Sequence, residues 1–504
     1  MGRKSREKRE RKVREVEFKR HYVDPPQVKY PVRLRASIGS TGSERLLARL
    51  AKDTFLSLWS YPNVVRDEPQ GKAVIAKEIA DLMIVFEDDI VLFSDKDCRF
   101  PSTGNLDIDW SRWFRNAVEK SAKQLWGAER HIRQHPHRIF IDSKCKIQLP
   151  IQLPGQTRMR IHRVVVAHGA SQRCREALGG SGSLMIMPQI IGDDHKKTRA
   201  NGGAPFAIGR VSATNPFVHV LDDTSLELLL KNLDTVSDFV GYIRKKEAFI
   251  ESGRLGMAAG EEALLGLYVA KLNGNDEHDF VVSAQADDTP IALSESRWHE
   301  FLKSGERRRQ READKVSYLW DGLIEQFAGH FMAGTSHHLS EVDSTHGDFE
   351  KVLRFFARES RLRRRVLSSA LVHMHRTTPA TRTRLRVVPP MRPGDPYWVL
   401  LLFPFANNLN VGERVPYERY RAIRQEYLNC CLRVAKLKWP EALDIVGFAT
   451  ESGRESYGSE DAAYLDARIW TDQMQRDART VQEKLQILIT PNMIATHISE
   501  YPKP

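Results

Sequence analysis

Between Lys77 and Lys96 the chain reads KEIADLMIVFEDDIVLFSDK, two apolar runs separated by Glu87, Asp88 and Asp89. Runs of this length, rich in Ile, Val, Leu and Phe, have the pattern of buried strands rather than helices, so the segment predicts two strands joined by an acidic hairpin turn. Residues two apart on a strand share a face. Leu92, Ser94 and Lys96 therefore point one way and Val91, Phe93 and Asp95 the other. Upstream, Ser43 is placed to cap a helix whose face carries Leu46, Leu47, Leu50 and Ala51. Residues Phe55 to Tyr61 alternate large apolar residues with serine, as a half-buried strand does. Downstream, Trp110 to Ile132 reads as one amphipathic helix with Trp113, Ala117, Ser121, Gln124, Leu125 and Ala128 near one side. Arg138 to Asp142 follows as a short strand. The expected order is helix, three strands, helix, strand.

The remainder is mixed. Strands are expected at Arg163–Ala167, Leu184–Met187, Ala207–Val211 and Phe217–Val220, with helix from Ser225 to Glu251. Trp298 to Arg365 reads as mostly helical, with a loop at Thr335–Gly347. A last unit has a strand from Trp398, a helix at Tyr417–Leu437, a strand at Asp444–Thr450 and a long helix at Glu460–Leu488, an α/β alternation. A chain of 504 residues is too long for one ordinary core. The expected division is a basic arm and Pro-containing linker (1–40), an α/β domain with a β-rich extension (41–290), a helical basic region (291–390) and a C-terminal α/β domain (391–504).

Charge adds one thing to this picture. The formal net charge is +12, with +6 in residues 1–22 and +11 in residues 351–392, which leaves the rest at −5. Cationic excess gathered in two places suits a phosphate backbone. Arg361, Arg363, Arg364 and Arg365 are placed to line a helix, and Arg382, Arg384 and Arg386 alternate along a strand. These are the nucleic-acid-binding candidates. The competing reading is an exposed helix paired with the acidic remainder. No run of 18 apolar residues suggests a membrane span, and the charged N-terminus lacks a secretory h-region. Arg6 stands where a myristoylation signal needs Ser or Thr. Five scattered cysteines without metal-binding spacing point to a reducing, cytoplasmic setting.

Asp81 and Lys96, carried on neighbouring strands, combine a carboxylate for a divalent metal with an ammonium to orient water. Together with the element order, these residues resemble the PD-(D/E)XK nuclease superfamily, the restriction-endonuclease-like fold, and in particular its nuclease-related and Mrr-like branches. The resemblance covers residues 40–145. It implies an αβββαβ core in which Glu44 is the helix acid, Asp81 the strand acid, Lys96 the lysine and Gln124 the helix amide. It further implies Mg²⁺ or Mn²⁺ as cofactor, nucleic acid (DNA before RNA) as substrate, and a place in a prokaryotic defence or DNA-processing system beside a partner protein. The chain departs from the family pattern at Ser94, which occupies the position of the second acid. Asp95, if a β-bulge turns it inward, or Glu78 is the replacement ligand. Without either, the alternative is a degenerate nuclease fold that binds nucleic acid or a partner protein. A third reading puts the function in the C-terminal unit.

Other groupings are weaker. His337, His338, Glu341, Asp343, His346 and Asp348 gather ligand types without a zinc spacing. His131, His135 and His137 follow a helix end, where a cation suits the dipole. His373 and His375 lie in the basic stretch and read as surface. Gly179–Ser183 lacks the Lys-Ser/Thr of a P-loop. Cys430 and Cys431 read as core packing.

Overall fold

The expected hairpin forms the middle of a five-stranded sheet. The computed structural model describes residues 42–70, 73–275, 277–282, 289–333, 346–405, 416–452, 459–490 and 498–503. The basic arm, its prolines and the loop carrying His337, His338, Glu341 and Asp343 lie outside these residues. The first elements are helix α1 (Gly42–Trp59), strands β1 (Ser60–Gln70), β2 (Ala73–Phe86) and β3 (Asp89–Lys96), helices α2 (Leu106–Trp113) and α3 (Lys120–Gln134), and β4 (Arg160–Ala167). The order helix, three strands, helix, strand is realised, but on partly different segments. Phe55 to Trp59 belong to α1 rather than to a strand. The helix is interrupted at Leu56, whose φ of 64° turns the chain. Arg138–Asp142 contributes only isolated bridges through Phe140 to Val65 and Gln148, and the fourth strand is β4. The expected helix from Trp110 divides into α2, a π-helical segment at Phe114–Glu119 and α3.

The chain continues through α4 (Ser171–Leu178), β5 (Met185–Ile191), β6 (Ala207–Arg210), β7 (Val218–Leu221), α5 (Asp223–Asn232), α6 (Val236–Glu251), β8 (Leu255–Ala258), α7 (Glu261–Ala270) and β9 (Ile291–Leu293). The main sheet has the order β1-β2-β3-β4-β7. Its first three strands are antiparallel, while β3, β4 and β7 are parallel. Buried apolar runs are what parallel strands covered on both faces require. A small second sheet has the order β6-β5-β8-β9.

Helices α8 (Ser296–Lys303), α9 (Gly305–Asp314), α10 (Tyr318–Ala333), α11 (His346–Ala357) and α12 (Arg361–Thr377) precede a third sheet. It comprises β10 (Arg384–Val388), β11 (Tyr397–Phe403), β12 (Asp444–Glu451) and β13 (Asp461–Asp466), with helices α13 (Tyr417–Lys438) and α14 (Asp472–Leu485). The expected long helix from Glu460 is thus corrected to a strand followed by a helix, because residues 461–466 complete the ladder beside β12. Strand alternation divides β11 between two cores. Trp398, Leu400 and Leu402 join the main core, which runs without a break from Leu47 to Ala462, and Tyr397, Val399 and Leu401 face α13. Gly447 permits that close packing, since a Cβ there would lie 2.9 Å from both Leu428 and Leu432 side chains. The chain is an α/β protein. Among the described residues no helix is long and apolar enough to cross a membrane.

Candidate active site at the open end of the hairpin

Pairing of β2 with β3 runs from Phe86 opposite Asp89 to Leu82 opposite Phe93. One step further, Asp81 falls opposite Ser94. By strand alternation Asp81, Ser94 and Lys96 share one face of the sheet, and Asp95 belongs to the other. Helix α3 covers the Asp81 face, where its Glu129 pairs with Arg163 of β4. Helix α1 covers the Asp95 face, where its Phe55 packs on Phe93 and on Phe239 of α6.

A β-bulge brings another acid to the side of Asp81. Pairing between β1 and β2 passes from Val64 opposite Ala80 to Val65 opposite Glu78, so Ile79 is an extra residue on β2. The insertion shifts the alternation by one and turns Glu78 to the side of Asp81. Their carboxyl groups hydrogen-bond each other. Asp81 also accepts a hydrogen bond at Oδ2 from the backbone N–H of Asp95, at 2.6 Å. Burial, then the Glu78 hydrogen bond and charge, push the Asp81 carboxyl up to about 8. A carboxyl held protonated at neutral pH against a second acid is the arrangement that a divalent cation replaces. Ser94 is buried beside Asp81 on the same face, and Lys96 is exposed at the strand end.

Asp95 is not brought to this pair. Its carboxylate is buried on the opposite face, with Oδ1 3.1 Å from Nε2 of His168 but outside hydrogen-bond geometry. The other ring nitrogen of His168 meets Asp223 Oδ1 at 2.5 Å. Asp223 in turn accepts from the Gly169 N–H and the Ser171 hydroxyl. Burial would lower the His168 pKa, but the bond to Asp223 and the facing Asp95 raise it to about 10, so the ring is a cation. Trp113 fastens this end of the sheet by donating to the carbonyls of His168, at 3.0 Å, and Cys98, at 3.2 Å. Gly169 is required here: its φ is +93°, and a Cβ would lie 2.3 Å from the Cys98 carbonyl oxygen.

The other expected site residues are dispersed. Glu44 lies in the first turn of α1, the helix on the opposite face, and the charge environment of Asp81 is set by Glu78 and Asp95. Gln124 lies on the covering helix α3 but is exposed, because Ser121, Ala122, Leu125 and Ala128 take the inward positions. The arginines of α12 do not form a cationic surface. Arg361 pairs with Asp234 and Asp321 at 2.9 and 2.8 Å. Arg364, fully buried, pairs with Asp321 at 2.6 Å and donates to the Glu359 and Ala357 carbonyls. Arg365 binds Asp314 and the Ser499 and Glu500 carbonyls, and Arg363 the Pro389 carbonyl. Arg382 and Arg384 are exposed and Arg386 half-buried, on or beside the edge strand β10.

His168 and Asp223 were not foreseen from the sequence. Neither lies in a motif, and they meet only because β4 and β7 are neighbours. No protein-family model, no curated protein and no solved structure matches this chain.

Proposed function

We propose that this chain is a metal-dependent nuclease of the PD-(D/E)XK type that hydrolyses phosphodiester bonds in nucleic acid, DNA before RNA. The observation that carries the reading is the Glu78–Asp81 pair, two carboxyls brought into hydrogen bond by the bulge on the face that also bears Lys96. Glu78 and Asp81 would hold Mg²⁺ or Mn²⁺, which supplies Lewis-acid polarisation of the scissile phosphate and a more acidic bound water. Lys96 offsets charge developing on the phosphate and orients the attacking water. Ser94 contributes no ligand, since Glu78 takes the place its position leaves empty. The positively charged His168 behind Asp95 holds the end of β3 in place through the opposite face. Arg382, Arg384 and Arg386 offer cations to the nucleic-acid backbone, in a cytoplasmic setting and beside a partner protein.

The second reading is a non-catalytic scaffold, favoured by the serine at position 94 and by the commitment of Asp95 to the far face. Cleavage of plasmid, single-stranded DNA and RNA separates the two. Metal-dependent cutting by wild type is expected to fall by about a hundredfold or more in Asp81→Asn and Lys96→Ala, and comparably in Glu78→Gln. Absence of cutting, with salt-sensitive binding that survives all three substitutions, would establish the scaffold instead.

A further inference from the structure

The opposite end of the main sheet carries a second group of donors. His162 is near the start of β4, His219 near the start of β7, and Glu247 in the penultimate turn of α6, which packs beneath them. Their donor atoms all lie within 4.8 Å of one another. Glu247 Oε2 is 3.6 Å from His219 Nε2 and 4.0 Å from His162 Nδ1. These separations are too long for hydrogen bonds. His219 is 2% exposed, yet neither of its ring nitrogens has a hydrogen-bond partner, and the Nδ1 of His162, also buried, has none either. Buried polar atoms left without partners are rare, and two of these, His219 Nε2 and His162 Nδ1, face one carboxylate and mark a place for something else.

The far side of His162 is already arranged for a ligand. Its Nε2 is held by Asp89 Oδ1 at 2.8 Å, and Asp89 is itself gripped by both Arg160 nitrogens at 3.1 and 3.0 Å. A carboxylate that fixes one imidazole nitrogen and leaves the other aimed inward is the usual support behind a metal-bound histidine. We propose that His162, His219 and Glu247 bind one divalent transition-metal ion, Zn²⁺ by the character of the donors. Two imidazoles and one carboxylate match zinc, and tetrahedral coordination places donors about 3.3 Å apart, so Glu247 would draw in by about 0.3 Å toward His219 and about 0.7 Å toward His162. Three protein donors leave the fourth position to water or to an added ligand. The Glu247 side chain, 25% exposed, gives the site its opening to solvent, while the two histidines are closed off.

The ion would join β4 and β7 to α6. It is separate from the Glu78–Asp81 pair: His162 lies opposite Val91 on the face covered by α6, whereas Asp81 lies opposite Ser94, three residues further along β3 and on the other face of the sheet. The preference for nitrogen donors also separates the two, since Mg²⁺ takes oxygen ligands.

The test is equilibrium dialysis of the purified full chain against micromolar Zn²⁺ with excess Mg²⁺, followed by metal analysis. Wild type is expected to retain one equivalent of zinc, and Co²⁺ loaded in its place to give the visible absorption of a tetrahedral site. Glu247→Gln, an isosteric change at a partly exposed position, should lose the zinc at least tenfold, as should His219→Ala. Glu78→Gln and Asp81→Asn should keep it. The unfolding midpoint should rise with Zn²⁺ in wild type and not in Glu247→Gln. Wild type without stoichiometric zinc, or zinc retained by a folded Glu247→Gln and lost from Asp81→Asn, would overturn the assignment.

Discussion

Replacing Asp81 by Asn isolates the shared proton on which the candidate active site depends. The amide keeps the geometry: its oxygen still accepts the Asp95 N–H, and its NH₂ donates to Glu78 as the protonated carboxyl does. Only the ability to ionise is lost. In the folded chain the Asp81 carboxyl titrates near 8, against an ordinary 3.8. The folded state therefore holds a proton that the unfolded state releases, and stability falls as pH rises between those values. The full displacement corresponds to about 6 kcal/mol at 1.36 kcal/mol per unit. Glu78 is exposed and Asp81 only half-buried, so water reaches the pair and an effect on the order of 3 kcal/mol is expected.

Urea unfolding of wild type and Asp81→Asn should give nearly equal stabilities near pH 4, where both side chains are neutral. The variant should become progressively more stable than wild type up to about pH 8 and stay so above it. Mg²⁺ added at the alkaline end should close the gap by stabilising wild type alone, because the cation takes the place of the proton. A gap that is constant with pH, or that shrinks as pH rises, would refute a proton shared at this pair.

Three further outcomes follow from neighbouring parts of the molecule. His168→Gln should cost stability below about pH 6.5, where the raised histidine contributes fully, and the cost should fade as pH rises through about 10, read by the same unfolding assay. Arg364→Ala leaves two buried carbonyls without their donor and Asp321 with Arg361 alone, and should destabilise the chain by about 3 kcal/mol, without altering the salt dependence of nucleic-acid binding. Arg384→Ala, on the exposed edge strand, should leave stability within about 0.5 kcal/mol. It should lower the slope of log affinity against log salt by about one if β10 meets phosphates, as a binding titration across salt concentrations would show.

The hairpin was legible because its signal is local: two apolar runs, an acidic turn and a period of two suffice. Ser94 and Lys96 could be assigned to one face for the same reason. Glu78 could be named as a ligand but not placed, since an unbroken alternation puts it opposite to Asp81. The extra residue at Ile79 exists only in the pairing with β1, a partner that the β2 sequence does not specify. The Arg361–Arg365 run shows the opposite error. A dense cationic helix suggests a solvated or phosphate-facing surface, yet Asp234, Asp314 and Asp321, distant in sequence, draw three of its arginines inward. Residues 461–466 carry helix-favouring Ala and Leu, and the β12 ladder overrides that preference.

Moving the second acid from β3 to β2 changes more than an address. Two strand residues on one chain segment, joined by a bulge, face each other closely enough to share a proton when no cation is present. The proton then competes with the metal. Below about pH 8 each unit of pH should weaken cation binding up to tenfold, so activity at neutral pH should demand more Mg²⁺ than at alkaline pH. This linkage also divides the two readings of the chain. A scaffold that merely buries an acid pair would keep its proton whatever the Mg²⁺ concentration, and its stability curve against pH would not move. A nuclease site must surrender the proton on loading, so the alkaline loss of stability and the metal requirement have to change together.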